Sequence, residues 1–302
     1  MPDRVIPVLV NRAGGAAAAA GDELEDQITA AFAAAGAAAE VQLVAADKMA
    51  DAVRKAAATA RRIVVGGGDG TMSCVAQALA DHPDIELALL PLGTLNHLAR
   101  DLGISSVLEE AAALAVTGTA TPVDVATVND QRFVNNASVG LYPFMVRRRD
   151  DARARTGLPK WLATLPAAGA ALSRLPHHRL RIDMGEGVQP LITSLLFIGN
   201  NLYALEAGSV GTRESLADSL LSIFAVAHRT RLGLIWFALR TLFGRADRNA
   251  DFVAIGESPS LTVHSPGRSI EIALDGEVRR LRSPLKFAVD AGALKIVVPD
   301  AG

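Results

Sequence analysis

The stretch RIVVGGGDGT (residues 62–71) decides the fold class of this 302-residue chain. Its short apolar run is typical of a buried strand, and TMSCVAQALADH (71–82) puts apolar residues on one helical face. Between the two, three successive glycines leave backbone N–H groups bare at the start of a helix, where the helix dipole favours anions. The stretch therefore predicts a strand, an anion-binding turn and a helix in immediate succession.

The same alternation extends over the first 120 residues and changes after residue 122. Alternating apolar strands and helices predict a parallel sheet covered on both faces. Beyond residue 122, two strand-like runs split by Asn129-Asp130 and several later hairpin signals predict an antiparallel β-rich domain. The predicted strands lie at 5–10, 40–45, 62–65 and 85–93, and the predicted helices at 22–36, 48–60, 71–82 and 95–103.

Composition excludes several classes of protein. The formal net charge of −2 argues against a broad nucleic-acid surface. The single cysteine, Cys74, cannot form an internal disulfide, so a reducing cytoplasm is expected. The apolar stretch at residues 191–205, which contains Asn200-Asn201, is too short for a membrane-spanning helix, so a soluble protein is expected that meets a membrane only from its surface.

The glycine turn alone leaves two interpretations open. It lacks the Lys-Ser/Thr pair of a Walker A loop and the last glycine of the dinucleotide fingerprint, so it is either an anion site or a tight turn with Asp69 as N-cap. Two further segments favour the anion site: PLGTLNHLARDLGI (91–104) repeats the same plan, and NRAGG (11–15) ends the first strand with two glycines. Turns at neighbouring strand ends face one crevice at the carboxyl edge of a parallel sheet.

Four motifs together resemble the diacylglycerol kinase catalytic family, which includes bacterial lipid kinases, sphingosine kinases and ceramide kinases. They are GGGDGT (66–71), PLGTLNHLAR (91–100), NNASVG (135–140) and IALDGE (272–277), in order along nearly the whole chain. The resemblance implies an N-terminal α/β nucleotide-binding domain (1–122), of the kind that NAD kinases and diacylglycerol kinases share. It also implies a C-terminal antiparallel β-sandwich (123–292), with a last strand at 293–302 that returns to the first domain.

The resemblance also implies the site residues and the cofactors, ATP and Mg²⁺. Asp69 would orient Mg-ATP, and Asp275 or Glu277 would accept the proton of a lipid hydroxyl, in keeping with phosphoryl transfer, where a carboxylate positions the attacking oxygen. For Asp275 the alternative is a type I′ hairpin turn formed with Gly276. The ATP-binding residues implied are Asn11, Gly66, Gly67, Gly68, Asp69, Gly70, Thr71, Thr94 and Asn96.

The sequence departs from the family pattern at several positions. Arg12 replaces a proline, no threonine ends the second strand, and His97 stands where an acidic residue is common. Asp218-Ser219-Leu220 replaces an Asp-Gly-x-Leu segment that binds a structural metal in some bacterial members. Because serine is not expected to adopt the conformation of that glycine, a metal site at Asp218 and Leu220 is in doubt.

Three functions remain open at this stage: an ATP-dependent lipid kinase with diacylglycerol or a related lipid as acceptor, a soluble-substrate kinase of the NAD kinase type, and a non-catalytic lipid-binding homologue. The third glycine, PLGTLN and the late LDGE favour the first. A lipid kinase would be cytoplasmic and would associate peripherally with a membrane, which is then its expected partner. A homodimer is a second expectation, because the exposed strand edges of a sandwich commonly pair with another copy.

Three further segments carry surface hypotheses. The segment RLGLIWFALRTLFGR (231–245) is either an interfacial helix or a core helix of the sandwich. The charge run that begins at Arg147–Arg149 is either a solvated helix face or a contact with anionic lipid or nucleotide. His177-His178 is expected in an exposed turn rather than at a metal.

Overall fold

A computed structural model describes residues 5–13, 23–140, 178–204, 212–213, 215–226 and 252–300. Four strands and five helices alternate up to residue 117, in the predicted order. The strands are β1 (Ile6–Asn11), β2 (Ala39–Val44), β3 (Arg62–Gly67) and β4 (Glu86–Pro91); the helices are α1 (Glu23–Ala34), α2 (Met49–Ala57), α3 (Asp69–Ala78), α4 (His97–Asp101) and α5 (Leu108–Thr117), and a 3-10 helix (Ala46–Lys48) precedes α2.

The first four strands form a parallel array in the order β2-β1-β3-β4. Successive residues of β1 point to opposite faces, so that Val8 and Val10 pack with α1 and α5, whereas Leu9 packs with α2 and α3. Burial on both faces explains why these strands are apolar throughout and not alternating. The predicted parallel sheet with helices on both sides is confirmed.

The second half of the chain is built almost wholly of antiparallel strands. A six-stranded sheet has the order β14-β13-β10-β7-β16-β17, and a larger sheet continues from β4 through β18 to β15, β8 and β9, with β5 and β6 alongside. The bounds are β5 (Thr119–Val128), β6 (Gln131–Phe133), β7 (Asn136–Gly140), β8 (His178–Asp183), β9 (Val188–Thr193), β10 (Leu195–Asn200), β11 (Tyr203–Ala204), β12 (Thr212–Arg213), β13 (Leu221–Val226), β14 (Phe252–Ser258), β15 (Ser260–His264), β16 (Ser269–Leu274), β17 (Glu277–Arg282) and β18 (Leu285–Val298).

The two sheets face each other across one apolar core, as a β-sandwich requires. Phe133 and Phe287 of the larger sheet lie in this core with Leu196 and Ile272 of the six-stranded sheet, and the two phenylalanine rings meet edge to face at 6.3 Å. The long strand β18 serves both halves of the molecule. It pairs antiparallel with β5 and β15, and through Lys295 and Ile296 it pairs parallel with β4.

The structure adds one helix to the predicted set and agrees with the predicted turn. Helix α5, which packs against α1, was not predicted. Asn129 has a φ of 51° between β5 and β6, as expected of a tight hairpin. The boundary at residue 122 stays a prediction, and the helices expected around 158–175 and 230–244 lie outside the described residues.

Candidate active site

The two predicted phosphate turns touch each other through their glycines. A Cβ on Gly93 would lie 2.4 Å from the Cα of Gly68, and one on Gly67 would lie 2.5 Å from Thr71 Oγ1. Neither Gly67 nor Gly68 has a positive φ, so close approach, and not backbone conformation, requires glycine there. The glycines were predicted to expose backbone N–H groups to an anion. Their lack of side chains also allows the turns after β3 and β4 to pack against each other.

An open cavity of about 450 Å³ lies over these turns at the carboxyl ends of β1, β3 and β4. This volume is within the roughly 300–1,000 Å³ typical of small-molecule sites. Asn11 Nδ2 donates a 2.9 Å hydrogen bond to Thr71 Oγ1 at one side of it. The structure therefore brings residues from all three predicted turns to one cavity. Its lining includes Asn11, Gly68, Gly70, Thr71, Ser73, Cys74, Gly93, Thr94, Glu277 and Arg279.

Asn96 stabilises its own turn with its side chain. The residue has a φ of 49°, which asparagine tolerates better than most residues. Its Oδ1 accepts a hydrogen bond from Gly93 N at 2.9 Å, and its Nδ2 donates to the carbonyl oxygens of Gly93 and Pro91. These contacts explain why an asparagine follows the glycine and threonine, and they direct the amide into the turn.

The Asp69 carboxylate caps a neighbouring helix and not its own. Asp69 begins α3, but its Oδ2 and Oδ1 accept hydrogen bonds of 3.2 Å from His97 N and Leu98 N at the start of α4. Asn135 Nδ2 donates a third, of 3.1 Å, to Oδ1. A carboxylate offers about four acceptor positions, so one position on Oδ2 remains for a ligand.

Asp275 is held by four hydrogen bonds at the tip of the β16–β17 hairpin, where its φ is 46°. Ser73 Oγ and Val134 N donate to Oδ2 at 2.5 and 2.8 Å, and Asn135 N and Asn136 N donate to Oδ1 at 2.8 and 2.9 Å. Burial raises the pKa of Asp275, and these hydrogen bonds oppose the rise. All four acceptor positions of the carboxylate are in use. Asp275 therefore forms the hairpin turn that was the alternative prediction for it, and its side chain also fixes the backbone of Val134–Asn136.

Glu277 is the carboxylate that reaches the cavity without being enclosed. Its side chain is 62% exposed, and a Cβ on Gly70 would lie 3.5 Å from its Oε1. Arg279 Nη2 lies 3.3 Å from Oε2, and the same guanidinium donates through Nη1 to Gln131 Oε1. Glu277 is thus paired with Arg279 through Oε2, and its exposed side chain can still contact a ligand bound in the cavity.

A buried polar network around Arg213 holds Asn135, which contacts Asp69, and the sequence did not predict it. Arg213, whose side chain is 0% exposed, donates from Nη2 to Asn135 Oδ1 at 2.7 Å and from Nε to Asp101 Oδ2 at 2.8 Å. Its guanidinium also lies 5.4 Å from the ring centre of Tyr203. Asn135 lies in the NNASVG motif, which pointed to its importance, but nothing near Arg213 in the sequence indicated its role.

The segment compared with the family's structural metal site is held by protein hydrogen bonds. Ser219 adopts a φ of 56°, contrary to the expectation that serine would not take this conformation, and its N–H donates to Asp124 Oδ2 at 2.7 Å. Asp218 Oδ2 accepts from Leu202 N, and Leu220 O from Asn201 N. No group of three His, Cys, Asp or Glu side chains suited to a metal occurs among the described residues. A site built from the Asp218 carboxylate and the Leu220 backbone carbonyl would not be such a group, so the metal site at Asp218 and Leu220 stays a prediction.

Several predicted surface features lie outside the described residues. These are the charge run at 147–155, His177 and the segment 231–245. In the part of the chain that the structure describes, none of the helices has the length and apolar character needed to cross a membrane.

Comparison with known proteins assigns the class. Residues 6–128 match the model of the diacylglycerol kinase catalytic domain. The chain is 32% identical over 244 residues to a protein named probable lipid kinase YegS-like from Pseudomonas aeruginosa (strain UCBPP-PA14), covering 78% of this chain and 76% of that one. A probable lipid kinase YegS from Salmonella arizonae is 31% identical over 229 residues, covering 71% of each chain.

Solved structures agree with the fold. A protein from Bacillus anthracis str. Sterne, provisionally assigned as a diacylglycerol kinase, superposes with a TM-score of 0.74 at 24% identity, over 99% of this chain and 98% of that one. Fold and sequence together thus define a kinase. More particularly, the chain belongs to the diacylglycerol kinase catalytic domain family of lipid kinases, as its motifs predicted.

Proposed function

We propose that this protein transfers the γ-phosphate of ATP to the hydroxyl of diacylglycerol or a related lipid. The observation that carries the proposal is the convergence on one cavity of three strand-end turns and the Glu277 carboxylate. Backbone N–H groups and hydroxyls suit the phosphates, and a free carboxylate beside them suits the attacking alcohol. The names of the Pseudomonas aeruginosa and Salmonella arizonae relatives support a lipid as the acceptor.

Gly68, Gly70 and Thr71 would cradle the phosphates, with Asn11 and Thr94 at the edges of the cavity. Mg²⁺ would be held by Asp69, whose Oδ2 keeps one acceptor position as a hard oxygen ligand and whose neighbours Gly68 and Gly70 line the cavity. When bound, Mg²⁺ would neutralise charge on the triphosphate.

Glu277 is our choice for the residue that accepts the proton from the lipid hydroxyl. Its side chain is exposed to the cavity and has acceptor capacity left, whereas Asp275 already accepts four hydrogen bonds. Asp275 would then act by holding Ser73 and the chain at Val134–Asn136 in place. Because hydrogen bonds can rearrange when a substrate binds, substitution of Glu277 and of Asp275 in turn decides which carboxylate accepts the proton.

The decisive test is transfer of radiolabelled phosphate from ATP, with Mg²⁺, to a panel of diacylglycerol, sphingosine, ceramide and phosphatidylglycerol, with NAD⁺ as a soluble acceptor. A labelled product that extracts into organic solvent supports the proposal and identifies the lipid. A labelled product that stays in water with NAD⁺ indicates a soluble-substrate kinase. No transfer to any acceptor, from protein that binds ATP, indicates a non-catalytic homologue.

Peripheral contact with a membrane belongs to the same proposal and is supported by the outer face of the β8–β9 hairpin. Val188 and Ile192 are 53% and 56% exposed on this edge strand. Ile192 is paired with Arg179 and Pro190 with Arg181, whereas Val188 is paired with Asp183. The apolar side chains therefore share one face with two basic groups and one acidic group. Such a face suits a bilayer interface with anionic headgroups.

Co-sedimentation with phosphatidylglycerol-containing vesicles tests this contact. We expect Ile192→Asp and Arg181→Glu to reduce binding, with Gln189→Glu, on the other face of β9, as the control. Unchanged binding in both would exclude this face; the Trp236→Asp/Phe237→Asp variant then tests the segment 231–245. The mass of the free protein in solution would reveal whether a homodimer covers the face instead.

A further inference from the structure

A nucleoside triphosphate in this cavity needs a positive charge that the three strand-end turns do not supply. A triphosphate carries several negative charges, and the loop at 66–71 lacks the lysine of a Walker A motif. The described side chains that line the cavity include one anion, Glu277, and one cation, Arg279. Arg54, which lies farther off on α2, is paired with Asp51 at 2.5 Å.

The register of the β16–β17 hairpin directs Arg279 inward. Arg279 pairs with Ile272 and Glu277 with Leu274, and both partners are buried core residues of the sandwich. Side chains of paired residues lie on the same face of a sheet, so these two charged groups continue the core face. At this end of the sandwich that face meets the nucleotide cavity, while the next residue, Arg280, points the other way and donates to Ser269 Oγ at 2.9 Å.

The guanidinium of Arg279 is positioned but retains donor capacity. It donates to Gln131 Oε1 and to Glu277 Oε2, using two of its five N–H groups. The remaining donors can form a fork with phosphate oxygens, for which arginine is well suited. The guanidinium contacts Glu277 and lies in the lining of the same cavity as the phosphate turns. It can therefore fix the position of the Glu277 carboxylate relative to phosphates bound at those turns.

We propose that Arg279 binds the phosphates of the nucleotide and, through its ion pair, aligns Glu277 beside them. This inference rests on the proposed function, because it requires that the cavity take a nucleoside triphosphate. It adds the one cation of the described cavity lining to the binding site. Neither Arg279 nor Gln131, its second partner, belongs to the motifs that predicted the site.

The test is calorimetric binding of ATP and of ADP to the full chain, compared among the wild type, Arg279→Gln, Arg279→Lys and the matched control Arg280→Gln. We expect Arg279→Gln to raise the Kd for ATP by about tenfold or more, since charge-assisted hydrogen bonds are lost. Arg279→Lys should lie between this variant and the wild type, because it retains the charge but not the fork. Arg280→Gln should bind ATP as the wild type does.

Steady-state kinetics provides a second readout. Arg279→Gln should raise KM for ATP without raising KM for the lipid, and Arg279→Lys should recover part of the loss. If the wild type binds ATP and both Arg279 variants bind it equally well, the inference is overturned while the proposed function stands. If the folded wild type binds no ATP, the proposed function fails and the inference fails with it. Should Arg279→Gln not fold, Arg279→Lys decides: an unchanged Kd overturns the inference.

Discussion

Ser73 Oγ donates a 2.5 Å hydrogen bond to Asp275 Oδ2, across 202 positions of sequence. The bond joins the second turn of α3, which follows the glycine turn, to the tip of the β16–β17 hairpin. The same carboxylate accepts three backbone N–H groups of Val134–Asn136. One aspartate therefore connects helix α3, the NNASVG segment and the hairpin that carries Glu277 and Arg279.

Comparison of Glu277→Gln with Asp275→Asn separates a catalytic from a structural carboxylate. Glu277→Gln should lower kcat by roughly 10²- to 10⁴-fold, as expected for loss of a general base, and leave the free energy of unfolding almost unchanged because the side chain is exposed. Asp275→Asn should destabilise by about 3 kcal/mol or more, since an NH₂ group would face backbone N–H donors. Kinetics and urea unfolding measure both, with Glu186→Gln as a surface control. Full kcat in Glu277→Gln would contradict our assignment.

Gly93→Ala should disrupt the contact of the two turns. Its Cβ would lie 2.4 Å from a backbone atom of Gly68, which cannot move aside as a flexible side chain can. We expect a loss of about 1–3 kcal/mol of stability from this overpacking. Gly70→Ala, whose Cβ makes only ordinary contact with Glu277, should keep its stability. Equal melting temperatures for the two variants would show that the turns are not packed as described.

Loss of one partner of the buried Arg213–Asp101 pair should lower the free energy of unfolding more than replacement of both partners by apolar residues. Arg213→Met removes the 2.8 Å partner of the buried Asp101 carboxylate, whose Oδ1 has no hydrogen bond and only a 3.9 Å ion pair with the exposed Arg100. We expect about 3–5 kcal/mol of destabilisation. The Arg213→Met/Asp101→Leu double variant should recover a large part of it, which denaturant unfolding of the four proteins would measure. Additive losses would mean that the pair is not coupled.

Cys74, the single cysteine, reports on the cavity through its rate of alkylation. Burial, with the nearby Glu277 charge, raises the pKa of the thiol, so iodoacetamide at pH 8 should react more slowly than with an exposed cysteine. Glu277→Gln should accelerate the reaction because it removes one cause of the rise. ATP should protect Cys74 if it fills the cavity that this residue lines. Mass spectrometry gives the rates, and no protection at saturating ATP would place the nucleotide elsewhere.

Tyr203 should make the protein sensitive to high pH. Burial raises the pKa of Tyr203 to about 12, with the Arg213 charge opposing the rise. Because the folded state keeps this proton longer than the unfolded state, the stabilising contribution is complete below about pH 10 and is lost as pH rises through 12. The stability difference between the wild type and Tyr203→Phe should therefore shrink by roughly 2–3 kcal/mol between pH 9 and 12. A constant difference in urea unfolding would contradict this.

The sequence alone predicted the first four strands, all but one of the helices between them and after them, and the turns that face the cavity. Apolar runs, helical spacing and glycines are local signals, and they predicted β1, β3 and β4 with the turns at their ends. Among the ATP-binding residues implied by the family resemblance, Asn11, Gly68, Gly70, Thr71 and Thr94 line the cavity. The implied residues that are not in its lining are Gly66, Gly67, Asp69 and Asn96. Helix α5 was not predicted, although it packs against α1 in the same core.

Only the tertiary structure decided what the polar side chains do. Asp69 caps α4 rather than its own helix, Asp275 is enclosed while Glu277 is open, and Arg213 reaches Asn135 from 78 positions away. Such contacts depend on where distant strands meet, and a hydrogen bond depends on tenths of an ångström and on angle. Local patterns in a sequence predict neither where distant strands meet nor the geometry of a hydrogen bond between them. The residue types were therefore readable from the chain, but their partners were set by the packing of the two sheets.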